Sequence, residues 1–113
     1  MSKRILQVNQ LIQKEISQIL LREVDFPEDV LVTVTRVETS VDLKQAKVYI
    51  STLPENKILN VLKILNRSIY FIQQKLNKRL SIRPIPRIQF VAEIKTAEAG
   101  RIEEILEKIQ KTK

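Results

Sequence analysis

Between Lys57 and Arg87 the chain carries eight basic side chains and no acidic one: Lys57, Lys63, Arg67, Lys75, Lys78, Arg79, Arg83 and Arg87. Ammonium and guanidinium groups at this density are suited to one kind of chemistry. They neutralise phosphates and release the counterions condensed on a polyanion. The excess is local. The net charge is +7, from 20 basic and 13 acidic residues, yet residues 1–56 hold 7 basic and 8 acidic, and residues 88–113 hold 5 of each. Solvated helix faces ordinarily mix both signs, so a segment of one sign reads as a surface for a polyanion rather than as a solvated face.

Other chemistries lack their residues. With no His and no Cys, the common zinc sites and the His- or thiol-based triads cannot be assembled. Gly100 is the only glycine, so neither a P-loop nor a dinucleotide fingerprint is present. Glu103, Glu104 and Glu107 cluster, but beside Lys108 and Lys111 they read as the solvated face of a terminal helix rather than as an acid–base pair. No enzymatic activity, metal site, cofactor or small-molecule substrate is expected.

The elements that must position the basic residues follow from periodicity. Ile5, Val8, Ile12, Ile16 and Ile19 recur at helical spacing with Leu11 and Leu20 beside them, which predicts an amphipathic helix from about Lys3 to Arg22. Pro27 and three acids between Val24 and Asp29 end it. The β-branched run Leu31 to Glu38 predicts a strand. A second strand follows, with Ala46, Val48, Ile50 and Thr52 on one face and Lys47, Tyr49 and Ser51 on the other. The short loop at Ser40–Leu43, where Ser40 and Asp42 can bond backbone amides, makes the pair an antiparallel hairpin.

Pro54 suits the first position of a long helix, whose apolar stripe runs Ile58, Leu62, Leu65, Ile69, Ile72, Leu76 and Leu80 over nearly six turns. The cations Lys63, Arg67 and Lys78 fall off that stripe, and Tyr70 borders it as a partly buried packing residue. Pro84 and Pro86 end the helix. Arg87 to Val91 predicts a short third strand with Ile88 and Phe90 inward, and Thr96 an N-cap for a last helix carrying Ile102, Ile105, Leu106 and Ile109.

A chain of 113 residues with this pattern forms one domain, with residues 3–110 as its ordered core and 111–113 frayed. The order α-β-β-α-β-α predicts an α+β fold, a three-stranded sheet with its helices on one face, which buries every apolar stripe. The open sheet face then shows Thr33, Thr35, Lys47, Tyr49 and Ser51. With no cysteine, no secretion signal and no long apolar run, a soluble cytoplasmic protein without membrane contact is expected.

This order and three local motifs resemble the ribosome-binding factor A family, from about Arg4 to Leu106. In the hairpin, Ser40, Asp42, Leu43, Ala46, Lys47, Val48, Tyr49 and Ser51 fit that family's pattern. Leu80, Arg83, Pro86, Ile88 and Phe90 match a second motif in order, and Arg101-Ile102 with Ile105-Leu106 a third. The resemblance implies a type II KH-like fold in which a kink between two helix segments, usually marked by Ala-x-Gly, replaces the KH glycine loop. Here Ser68 stands where Ala is expected, Tyr70 where Gly is expected, and Gln73 at a position that is often Arg. Without glycine's freedom, a shallower bend or one built by other means is predicted. Glu93 takes the place of an Asp, and the late glycine is displaced to Gly100.

The resemblance further implies a non-catalytic factor that binds the immature 30S ribosomal subunit and its precursor 16S rRNA near the decoding region, assists late maturation and processing, and matters most in the cold. The simplest state is a monomer. The residues expected to contact RNA phosphates are Lys63, Arg67, Lys75, Lys78, Arg79, Arg83 and Arg87, with Arg4 and a base-stacking Tyr70 as secondary candidates. Two other readings use the same residues: a general RNA- or DNA-binding protein of the RNA-chaperone or nucleoid type, and a protein–protein adaptor acting through the open face of the hairpin.

Overall fold

The computed structural model describes residues 2–93. The first helix, α1 (Lys3–Glu23), starts where Ser2 Oγ accepts the Ile5 amide at 3.1 Å, an N-cap that satisfies one of the helix's free donors. It ends where Val24 turns extended. Its buried residues are Ile5, Val8, Ile12, Ile16, Ile19 and Leu20, the predicted stripe.

Strands β1 (Leu31–Thr39) and β2 (Gln45–Leu53) form the expected antiparallel hairpin. The loop is held as anticipated. Asp42 Oδ1 accepts from Ser40 Oγ at 2.6 Å and from the Lys44 amide at 3.1 Å, while Ser40 Oγ accepts the Gln45 amide at 3.0 Å. The bond from Ser40, then the Lys44 amide, hold the Asp42 carboxyl below its usual range. Leu43 adopts a positive φ of 61° to close the turn.

Alternation along β1 is broken by a bulge between Val34 and Arg36. The extra residue changes the strand's phase, so Val34 and then Val37 and Thr39 point inward. The carbonyls of Val34 and Thr35 are met from α1 by Gln13 Nε2, at 3.2 and 3.3 Å. Asn9 Oδ1, one helical turn earlier, accepts the Thr39 amide at 2.9 Å. Two side chains of α1 thereby fix the helix to the irregular strand.

The long helix predicted from Pro54 to Leu80 is instead three pieces. Pro54 does not open an α-helix; it precedes a 3₁₀ turn at Glu55–Lys57. Helix α2 (Ile58–Arg67) follows, then α3 (Ile69–Arg79), separated by Ser68. Ser68 has φ −102° and ψ 7°, and its amide is shared between the carbonyls of Ile64 and Leu65, both at 3.1 Å. This three-centre bond tightens the last turn of α2 and restarts the helix without glycine. The helix is thus interrupted where the family pattern has its kink, and the interruption is made without glycine.

Strand β3 (Arg87–Ala92) lies parallel to β2 in a sheet of order β1-β2-β3, so β2 is central. Val48 and Ile50 of β2 are wholly buried and join Ile12, Ile16, Val61, Leu65, Ile72, Leu76, Ile88 and Phe90 in one apolar cluster. Among the described residues the helices therefore cover one sheet face and leave the other open, in line with the α+β reading. Thr96, Gly100 and the last predicted helix lie outside the described residues. No helix among those residues is long and apolar enough to cross a membrane.

Candidate nucleic-acid interface

Helices α2 and α3 bury Ile58, Val61, Leu65, Ile72 and Leu76. The opposite side of the same pair carries Lys63, Arg67, Tyr70, Gln74 and Lys78, all exposed. These positions are three or four residues apart, so they form a single row along the outer surface. Tyr70 stands in the middle of it, immediately past the Ser68 break. It is 76% exposed, not the partly buried packing residue that its position beside the stripe suggested. An aromatic ring is shed to solvent here because the inward positions on this turn are already filled by Ile69 and Ile72.

Lys75 and Arg79, expected in the same group, are turned toward α1. Lys75 Nζ lies 3.2 Å from Glu23 Oε2 and 5.4 Å from the Phe71 ring centroid. Arg79 Nη1 lies 3.2 Å from Glu15 Oε2 and donates to Gln18 Oε1 at 3.1 Å. Their charges are matched within the fold. Among the described residues, Lys63, Arg67, Lys78, Arg83 and Arg87 have no ion pair. The segment from 57 to 87 thus divides into cations that attach α3 to α1 and cations presented outward.

Arg83 and Arg87 extend the row around a corner. After α3 the chain turns through Pro84 and Pro86 into β3, and an open cleft of about 710 Å³ lies between α3 and this return. Tyr70 and Gln74 form its outer lip, Gln73 and Asn77 its wall, and Ile69, Ile85 and Ile88 its apolar floor, with Arg83 and Arg87 at the edge. Among the described residues, no acidic side chain lines it. Arg83 Nη1 donates to the carbonyls of Leu80 at 3.0 Å and Ile82 at 2.7 Å, which fixes its guanidinium to the turn. The Arg87 amide donates to the Lys44 carbonyl at 2.9 Å, anchoring the start of β3 beside the hairpin loop.

One side chain holds the two walls together. Gln73 Nε2 donates to the Pro86 carbonyl at 3.2 Å and to Asn77 Oδ1 at 3.0 Å, and Gln73 Oε1 accepts the Ile88 amide at 2.9 Å. The backbone on both sides of Arg87 is therefore bonded to α3 through a single amide. Gln73→Leu keeps the volume but strands the Ile88 N–H and the Pro86 C=O in a partly buried place. A loss of about 1–3 kcal/mol in unfolding free energy is expected, read from the urea midpoint at unchanged slope.

Arg4 sits in the first turn of α1, ahead of the Asn9 contact with Thr39. That places it at the same end of the sheet as Arg87.

The open sheet face is a different kind of surface. The Arg36 guanidinium lies 3.7 Å from the Tyr49 ring centroid and pairs with both Glu93, at 3.0 Å, and Glu38. Tyr49 Oη donates to Glu38 Oε2 at 3.1 Å, and Thr35 Oγ1 donates to Glu93 Oε1 at 3.1 Å. The bonds and charge of Glu93, with Glu38 adding to them, raise the Arg36 pKa, whereas burial and then Glu38 push the Tyr49 phenol up. Charges on this face are balanced locally, and Tyr49 is engaged rather than offered. Among the described residues, no group of three or more carboxylates is arranged to hold a metal ion.

Comparison with known proteins places this geometry in context. The family model described as ribosome-binding factor A matches residues 4–106. A protein of that name from Thermodesulfovibrio yellowstonii is 36% identical over 110 residues, covering 97% of this chain and 93% of the relative. The crystal structure of ribosome-binding factor A from Thermus thermophilus superposes with a TM-score of 0.68 at 22% identity, over 78% of this chain and 93% of that one. A homology model of the Thermus thermophilus factor, fitted into the cryo-EM map of a 30S–RbfA complex, gives a TM-score of 0.63 at 23% identity, covering 74% and 88%.

Proposed function

The chain belongs to the ribosome-binding factor A family, and from that premise we propose that it binds the immature 30S subunit and its precursor 16S rRNA as a non-catalytic assembly factor. The observation that carries this reading is the row Lys63, Arg67, Tyr70, Gln74 and Lys78 continuing into Arg83 and Arg87. Among the described residues it is a surface without an acid that leads into a cleft of matching sign. A Thermus thermophilus relative has been placed in the map of a 30S complex, which supports the same destination here.

Phosphate contacts fall to Lys63, Arg67, Lys78, Arg83 and Arg87. Lys75 and Arg79 add field strength but are already paired with Glu23 and Glu15. Arg4 joins from the end of the sheet. The mechanism is steric and electrostatic. A docked domain holds RNA strands in place during late maturation and processing and keeps the unfinished subunit out of use, an action of most value in the cold, where misfolded RNA persists. The factor acts as a cytoplasmic monomer.

The test is sedimentation of the tagged protein in a cell lysate through a sucrose gradient at moderate salt. Comigration with small subunits, in preference to polysomes and bulk nucleic acid, is the expected result. Spread over all nucleic acid in proportion to charge would instead establish a general binder, and a protein left at the top of the gradient at low salt would refute subunit binding.

A further inference from the structure

The face of the sheet that the described helices leave bare is not uniform. Around Tyr49 it is sealed by polar contacts, with Arg36 over the ring and paired to Glu38 and Glu93. Toward the other end those contacts stop. Leu31 and Leu53 are cross-strand partners there, and each is 63% exposed. Their neighbours Val32 and Thr52 face the helices, so both leucines stand on the bare side, with Thr33 and Ser51 as the next facing pair. Two large apolar side chains exposed side by side leave area that a covering segment would gain by burying. Charge beside them is unmatched too. Asp25, Glu28 and Asp29 lie in the connection immediately ahead of β1, exposed and without an ion pair among the described residues.

We infer that the chain's own C-terminal segment, residues 94–113, covers this leucine pair. Strand β3 runs parallel to β2, and past its end the Glu93 amide donates to the Ile50 carbonyl at 2.8 Å, so the chain leaves the sheet heading for Leu53. Twenty residues follow, all outside the described residues. Their sequence supplies a matching surface, because Ile102, Ile105, Leu106 and Ile109 recur at helical spacing. The reach suffices. Residues 94–101 can span up to about 26 Å when extended, whereas three strands cover only about 10 Å from first to last. A crossing from β3 over β2 to β1 also brings opposite charges together. The end of the chain holds Lys108, Lys111 and Lys113 with no acid after Glu107, and it arrives where Asp25, Glu28 and Asp29 stand. A second copy is the less favoured occupant, because four leucines cannot supply the roughly 1,000 Å² that a specific interface buries. A face taken by the chain's own end is closed to an adaptor's partner, and the inference stands apart from the RNA-binding reading.

The experiment is hydrogen exchange read by mass spectrometry on the full chain. An isolated helix of about two turns is marginal in water, so slow exchange over residues 102–109 requires docking. Slowing of about tenfold or more is expected there, which corresponds to an undocked fraction of at most about one in ten. Leu31→Asp with Leu53→Asp should return that stretch to the unprotected rate, while the amides of β2 around Val48 and Ile50 stay protected and show the sheet to be intact. Ile105→Ala with Leu106→Ala should have the same effect from the other side. Alanine keeps helix propensity, so the loss there reports docking and not helix formation, and this pair decides the matter should the sheet variant fail to fold. Sedimentation equilibrium should give a monomer at every concentration. Unprotected exchange over 102–109 in the parent, or protection untouched by the double substitutions, would overturn the inference. Protection that grows with protein concentration alongside a dimer mass would overturn it as well, by assigning the leucine pair to a second copy.

Discussion

Replacing Lys63, Arg67, Lys78 and Arg87 together by Glu should release the protein from the small subunit while leaving its unfolding transition close to the parent's. Each of these side chains is exposed, and none makes an ion pair among the described residues. Their reversal therefore breaks no internal bridge. On the RNA side each lost phosphate contact removes about 0.7–0.9 from the slope of log affinity against log salt. Loss of the whole set should flatten that slope by about 3 and lower affinity by two orders of magnitude or more at moderate salt, because reversal adds repulsion to the lost attraction. The contrasting variant is Lys75→Glu with Arg79→Glu. There the new charges face Glu23 and Glu15 across α1, so the first consequence is destabilisation of the α1–α3 contact, on the order of 1 kcal/mol per pair, with a smaller change in salt slope. Filter binding over a salt series and urea melts of both variants separate the two groups. A Lys75/Arg79 variant that loses RNA while melting normally, beside a row variant that keeps it, would assign the interface to the wrong cations.

That division is not legible in the chain. The concentration of charge is, because sign and spacing are one-dimensional properties. Which cation is already spent depends on what lies across from it, and Glu15 and Glu23 are more than fifty residues away in sequence from their partners. The same limit explains other differences. Strand β2 alternates without interruption, so its faces can be read directly. In β1 the bulge is supported by Gln13 on α1, and no local pattern announces it. The Ser68 break carries neither proline nor glycine; it rests on one amide shared by two carbonyls, a geometry many sequences allow. The family motif at Ser68 and Tyr70 marks the right turn without showing how it is built. The cleft beside Tyr70 exists only once β3 has paired in parallel with β2, which brings Arg87 and Ile88 alongside α3. Short-range signals specified the elements, and long-range packing made the site.

The break also implies that each helix flanking it needs its own anchor, since backbone continuity alone does not fix the angle between them. Leu65, one turn before Ser68, and Ile72, one turn after, are both wholly buried in the single core cluster. Ile72 further receives the restarted helix ladder, its amide donating to the Ser68 carbonyl at 3.0 Å. Truncating either to Ala removes buried methyl groups and leaves a cavity that a rigid sheet cannot fill, at a cost of about 2–5 kcal/mol. For a domain of this size that is a large share of the total stability. The urea midpoint should fall accordingly for both Leu65→Ala and Ile72→Ala, whereas Tyr70→Ala, between them in sequence but exposed, should shift it by less than about 0.5 kcal/mol. The double variant decides how the break behaves. Additive losses would mean that α2 and α3 are held independently, so the row from Lys63 to Lys78 is set by two separate attachments to the sheet. Losses that fall well short of additivity would mean that a single cavity is shared across Ser68 and the two segments pack as one body. Independent anchoring is the expected result, because α2 rests against β2 and β3 while α3 is tied to α1 and β3 through Glu23, Glu15 and the Gln73 clamp.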